Sequence, residues 1–185
     1  MKEDPSTGSR NPKDNPNFRE SAPIVYRLTH GAENMPIDDS FFSEINSSGF
    51  VFRREISDAQ RGTLRVVIDQ AEADEESTFL DIGGTRISGL HRVRPTEKSH
   101  TYSLAWDHYV IYAVSNESFA TAESSAIYSG RCLRVYTKSR FLDYRNAATI
   151  ASTEHPGPMQ HIGLLTESHV IDVISTVDPQ ILRLK

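Results

Sequence analysis

"HYVIYAVS", residues 108–115, is nearly unbroken in apolar and aromatic side chains. Its β-branched and aromatic content marks a strand, and the absence of a polar face places that strand in the middle of a sheet. Other strands are read outward from it. "TLRVVID", residues 63–69, alternates and is β-branched. "TFLDIGGTRISGLHRV", residues 78–93, reads as strand, turn and strand, with Gly83-Gly84 as the hairpin signal. "FVFRREI" (50–56), "RCLRVYT" (131–137) and "HIGLLTES" (161–168) add three more. "HVIDVIST" (169–176) is a last strand or a short helix, and "EKSHTYSLAW" (97–106) fits neither pattern cleanly.

Helical signals are fewer. In "PIDDSFFSEINSSGF" (36–50), Asp39 or Ser40 caps, Phe41, Phe42 and Ile45 form an apolar face, and Gly49 stops the helix. "SFATAESSAIYS" (118–129) reads as a helix capped by Ser118 and ended by Gly130, and "KSRFLDYRNAATIAS" (138–152) as a third. "QAEADEES" (70–77) is acidic without an apolar stripe, which predicts a loop or a short exposed helix. About seven strands and three short helices give an α+β class with one central mixed or antiparallel sheet. Residues 1–22, rich in Pro, Asn, Ser, Asp and Lys, read as a disordered tail. Residues 23–185 form a single domain, which "PIVYRL" (23–28) opens as a strand with Pro23 at its first position.

Composition bounds the partners. Net charge is −5, which gives no broad footprint for duplex nucleic acid. Two basic segments, with Arg86, Arg92, Arg94 and Lys98 in one and Arg131, Arg134, Lys138 and Arg140 in the other, read as mixed-charge surface unless they adjoin. The longest apolar run, Tyr109 to Val114, is far short of the ~20 residues of a membrane-spanning helix. The first ten residues lack the apolar core of a secretory signal, so a cytoplasmic setting is expected, with no membrane partner. The one cysteine, Cys132, excludes an internal disulfide and reads as a small packed residue in a strand.

Motif searching removes several chemistries. The sequence holds no phosphate-binding loop of the G-x-x-x-x-G-K-[ST] type, no G-x-G-x-x-G, no H-E-x-x-H and no G-x-S-x-G. His155, His161 and His169 match no familiar ligand spacing, so scattered surface histidines are the better reading and no metal site is assigned. A metal-dependent hydrolase built on those three ranks below the other readings. Asp38-Asp39 and Glu75-Glu76 are adjacent in sequence and diverge in extended chain, a poor start for paired acid/base carboxylates.

The remaining candidate is the end of the first strand, "VYRLTHGAENMP", residues 25–36. Arg27, Thr29 and His30 supply a fixed cation, a hydroxyl and a donor-acceptor ring, a set suited to a phosphate- or amide-bearing ligand. The ordinary alternative is Arg27 paired with a carboxylate such as Glu33 and His30 in solvent. Residue physics alone favours that alternative.

"VYRLTH" followed by "ENMP" resembles the opening of DNA-targeting ADP-ribosyltransferase toxins of the DarT type, with one extra residue between His30 and Asn34. "DHYVIYAVS" is similar to that family's central strand, with Asp107 and His108 exchanged and Ile111 in place of a proline. The match covers about a fifth of the chain. The resemblance implies an NAD-using transferase, a toxin or defence effector, with a macromolecular acceptor. It further implies NAD contacts by His30 with Thr29, Arg27 and Asn34 beside it. Order along the chain would make Arg86 the functional arginine, with Arg92 and Arg94 as rivals, and Glu167 the catalytic glutamate. A second likeness, spanning "YVIYAVSNESF", "YSGRCLRVYTKSRFLDY" and "HIGLLTES", is to uncharacterised bacterial proteins and implies no activity. The competing class is a non-catalytic interaction module, such as an adaptor, inhibitor or immunity-type protein with an acidic surface and a cognate protein partner.

Overall fold

The computed structural model describes residues 37–59 and 62–185. The expected tail, the strand "PIVYRL" and the positions Arg27, Thr29, His30 and Asn34 lie outside the described residues. Among the described residues the chain is mostly β, with ten strands and two α-helices. The strands form two antiparallel five-stranded sheets rather than a single central one.

Helix α1 (Asp39–Ser47) is capped one residue earlier than the sequence predicts: the Asp38 carboxylate accepts the Ser40 N–H at 2.9 Å. In the first sheet β1 (Phe50–Ala59) pairs with β2 (Thr63–Ile82), β2 with β4 (Thr101–Trp106), and β4 with β10 (Gln180–Arg183). Alternation in the first half of β2 sends Leu64, Val66 and Ile68 into the core. On its other face Asp69 is buried and accepts from Arg54 Nε at 2.8 Å and Thr101 Oγ1 at 2.6 Å. The second half of β2 leaves the sheet and pairs only with β3 (Thr85–Arg94), turning at Gly83 and Gly84, both at positive φ. The acidic "QAEADEES" is therefore strand, not loop or helix. Its partner is the basic strand, with Glu72 opposite Arg94 and Asp74 bonded to the Arg94 guanidinium at 3.1 Å. Cross-strand charge thus pairs the base of this arm, and Leu80 opposite Ile87 adds an apolar pair towards its tip.

The second sheet runs in the order β5 (Tyr109–Asn116), β9 (His169–Ser175), β8 (Gln160–Leu165), β7 (Leu133–Lys138), β6 (Ile127–Ser129). Two expectations are corrected here. The apolar strand "HYVIYAVS" is at the sheet edge, with Val114 exposed, while β8 and β9 hold the buried centre. Tyr109 and Tyr112 pack against the core from that edge, which accounts for the aromatic content. "SFATAESSAIYS" is not a helix: a single 3-10 turn, Glu117–Phe119, leads through extended chain into β6. A helix there would have had no buried face to repay its ordering, since Phe119 is 85% exposed. Helix α2 (Arg140–Ala148) follows β7 as expected, capped by Ser139.

One core joins the sheets. Trp106, Tyr102 and Leu104 of the first pack with Leu133, Ile162, Leu164, Ile171 and Val173 of the second, and Ile45 of α1 closes one end. Each such aliphatic side chain contributes about 1.5–3 kcal/mol on burial. Asn46 ties α1 to the chain before β7. Its Oδ1 accepts the N–H groups of Arg131, Cys132 and Leu133 at 2.7, 2.8 and 3.0 Å, and its Nδ2 donates to Leu133 O at 3.0 Å. Gly130, at φ +89°, turns the chain so that these three donors converge.

Candidate functional site

A row of aromatic side chains crosses three strands of the second sheet. Tyr128 on β6 is opposite Tyr136 on β7, and Tyr136 is opposite His161 on β8. Directly opposed residues share a face, so their rings meet. Tyr128 and Tyr136 lie 5.0 Å apart, and Tyr136 stacks on the His161 imidazole at 4.1 Å with only 11° between planes. Phe141 of α2 closes on His161 at 5.3 Å and stacks with Tyr144. Over this row opens a cleft of about 820 Å³, roofed by residues 115–126 and α2. That size is in the usual range for small-molecule sites.

His161 is bonded at both nitrogens. Nε2 is 2.8 Å from Asp172 Oδ1, and Nδ1 is 2.8 Å from Ser139 Oγ. The Asp172 carboxylate can only accept, so the Nε2–H donates to it; in the neutral ring Nδ1 then accepts from the Ser139 hydroxyl. Ser139 Oγ in turn accepts the Leu142 N–H at 3.1 Å as the cap of α2. The chain Leu142–Ser139–His161–Asp172 thus occupies both imidazole nitrogens and fixes the ring. Gly163 opposes Asp172 across β8 and β9. A Cβ there would lie 2.8 Å from the Tyr136 ring and 3.4 Å from Asp172 Oδ1, so glycine keeps the ring and the carboxylate side by side.

Charge of both signs lines the cleft. The Arg134 guanidinium lies 4.6 Å over the Tyr128 ring, and its Nε donates to Arg131 O at 2.9 Å. Burial pushes the Tyr136 phenol up, against the pull of Arg134. Glu123 accepts the Arg140 N–H with both oxygens, at 3.0 and 2.9 Å, at the start of α2. That backbone donor is the main reason its carboxyl sits below the usual range, with burial opposing. Asp172, Glu123 and the rim residue Glu117 are the carboxylates on the cleft wall.

The described residues named from the resemblance, Arg86 and Glu167, are elsewhere. Arg86 is exposed on the β2–β3 arm, stacked 3.9 Å over Phe79 and 3.6 Å from Asp81. Arg92 and Arg94 lie on the same arm. Glu167 is exposed in the turn between β8 and β9, where its N–H donates to Val51 O at 2.9 Å. Neither Arg86 nor Glu167 lines the cleft, and no contact joins them among the described residues. The two basic segments fall on different sheets. His155 and His169 are away from His161: His169 bonds Ser168 Oγ at 2.8 Å, and no group of three or more metal-ligating side chains forms among the described residues. Cys132 is buried, and burial pushes its thiol up. No helix among the described residues is long and apolar enough to cross a membrane.

Sequence reasoning missed Tyr128, Arg134, Tyr136, Ser139 and Asp172. The alternation of "LRVYTK" placed Arg134 and Tyr136 on one face, but the partners opposite them depend on strand register. No protein-family model, curated protein or solved structure matches the chain.

Proposed function

We propose that the protein is an ADP-ribosyltransferase-like enzyme that binds NAD in the second-sheet cleft and acts as a cytoplasmic toxin or defence effector on a macromolecular acceptor. The observation that carries this reading is the aromatic row Tyr128–Tyr136–His161 with a guanidinium at one end and a carboxylate at the other. A dinucleotide offers planar rings for the aromatic faces, a diphosphate for Arg134 or Arg140, and ribose hydroxyls for a carboxylate. The likeness of "VYRLTH" and "DHYVIYAVS" to the DarT-type toxins supplies the reaction class.

In that reaction the bond between ribose C1′ and nicotinamide breaks, and nicotinamide leaves with the electron pair. The acceptor nucleophile then bonds to C1′ and releases a proton. A carboxylate near the ribose stabilises the oxocarbenium character that develops between these events. Calorimetry with NAD and an assay of nicotinamide release test the reading. Binding with release supports it; no binding at millimolar NAD refutes it.

One observation favours the competing interaction module. On the β2–β3 arm Leu80, Ile82, Ile87 and Leu90 lie on one face and are all exposed. An arm-dependent partner recovered alongside absent NAD turnover would favour that reading.

A further inference from the structure

We infer that Asp172 is the cleft carboxylate that takes the hydroxyls of a ribose ring, with His161 and Ser139 as the residues that position it; this rests on the NAD reading above. Three carboxylates line the cleft, and their environments differ. Glu123 spends both oxygens on the Arg140 N–H and one also on Ser125 Oγ. Glu117 is exposed at the rim, where water hydrates it and no hydrogen bond or ion pair among the described residues fixes its side chain. Asp172 is held at Oδ1 by the His161 Nε2–H, while Oδ2 has no hydrogen-bond partner among the described residues. Asp172 lines the cleft and its side chain is 21% exposed, so a ligand hydroxyl can donate to the free oxygen in place of water.

The setting is rigid. The His161 ring is stacked on Tyr136, contacted by Phe141 and bonded at both nitrogens, so the oxygen it holds cannot drift. Gly163 lets the Tyr136 ring lie against the backbone beside Asp172, where a Cβ would be 2.8 Å from the ring, and so holds that ring in place. A vicinal diol matches such a carboxylate, because two hydroxyls can donate to one fixed acceptor pair while the sugar face lies along the Tyr136 ring. Glu167, the carboxylate that order along the chain would choose, has no place on this wall.

Two measurements test the assignment. The first compares ADP-ribose with ADP on the wild-type protein by calorimetry, so it needs no variant to fold. The terminal ribose is expected to tighten binding at least about tenfold, the scale of a hydrogen bond to a charged group. The second uses Asp172→Asn, which keeps an oxygen for the His161 Nε2–H. This variant is expected to bind the two ligands within about twofold of each other and to lose nicotinamide release by at least about 100-fold. Glu167→Gln, outside the cleft, is expected to stay within about twofold of wild type in release. Equal affinity for ADP-ribose and ADP in a protein that still turns over NAD overturns this assignment alone, as does release lost in Glu167→Gln or Glu117→Gln but kept in Asp172→Asn. Failure of the wild type to bind NAD overturns the parent reading.

Discussion

Replacing Asn46 with Ala removes the clamp between α1 and the chain entering β7. The Arg131 N–H is on an exposed residue and turns to water, but Cys132 and Leu133 are buried, so their two N–H groups lose the acceptor they have among the described residues. Each stranded donor costs about 1–3 kcal/mol. The lost bond from Nδ2 to Phe42 O is local and cheap, because that carbonyl remains in the helix. The total comes to about 3 kcal/mol, a large part of the roughly 5–15 kcal/mol that holds a domain folded. Urea unfolding, followed by the fluorescence of the lone and fully buried Trp106, measures it. With a slope of about 2 kcal/mol/M the midpoint falls by about 1.5 M. Asn46→Asp keeps the triple acceptor but turns a carboxylate towards Leu133 O, 3.0 Å from the present Nδ2, and its midpoint lies between the two. A shift below about 0.3 M for Asn46→Ala would refute the argument that one side-chain oxygen satisfies this turn.

Gly130→Ala tests the same turn from the backbone: the added Cβ would be 2.0 Å from Leu133 O and 2.9 Å from the Phe42 ring, at φ +89°. A loss of at least about 2 kcal/mol in the same assay is expected from strain and overlap together. Glu123→Gln tests the anchor of α2. The folded carboxyl titrates below its ordinary 4.5, so its stabilisation is present above that pH and lost as pH falls through the folded value. Melting temperatures from pH 7 to 3 are therefore expected to show the variant lower than wild type at pH 7 and the gap closing below about pH 4.5. A gap that does not change with pH would remove the charge from the explanation.

The locally encoded parts of the fold were readable. The Gly83-Gly84 hairpin, the alternation of Thr63 to Asp69 and the Ser139-capped helix all depend on residues close in sequence. Errors fell where a distant partner decides. Residues 70–77 are extended because a basic strand lies beside them, and their own composition argues against it. Ile127–Ser129 is strand because β7 offers an edge, although the alanines before it read as helix. The most apolar strand lies at an edge because β8 and β9 already fill the centre. The site suffered most. His161 entered the sequence reading only as one of three histidines weighed and set aside as metal ligands, since its partners Ser139, Tyr136 and Asp172 meet it only once β7, β8 and β9 are in register.

Register also separates stability from function in the second sheet. Leu133 on β7, Ile162 and Leu164 on β8, and Ile171 and Val173 on β9 face the shared core. The residues between them, Arg134 and Tyr136, His161 and Gly163, and Asp172, face the cleft. The first face packs against the first sheet, while the second is bordered by α2 and residues 115–126 and opens to solvent as the cleft. A strand repeats every two residues, and sequence neighbours therefore belong to different tasks. Val173→Ala removes core volume and lowers stability while leaving the His161–Asp172 bond intact; Asp172→Asn keeps the volume and changes only what the cleft offers a ligand. A shift of one residue in the pairing of β7, β8 and β9 would turn Tyr136 and Asp172 to the core face. The core's demand for apolar contact thus fixes the register that assembles the cleft, and the geometry of the candidate site follows from the packing that stabilises the fold.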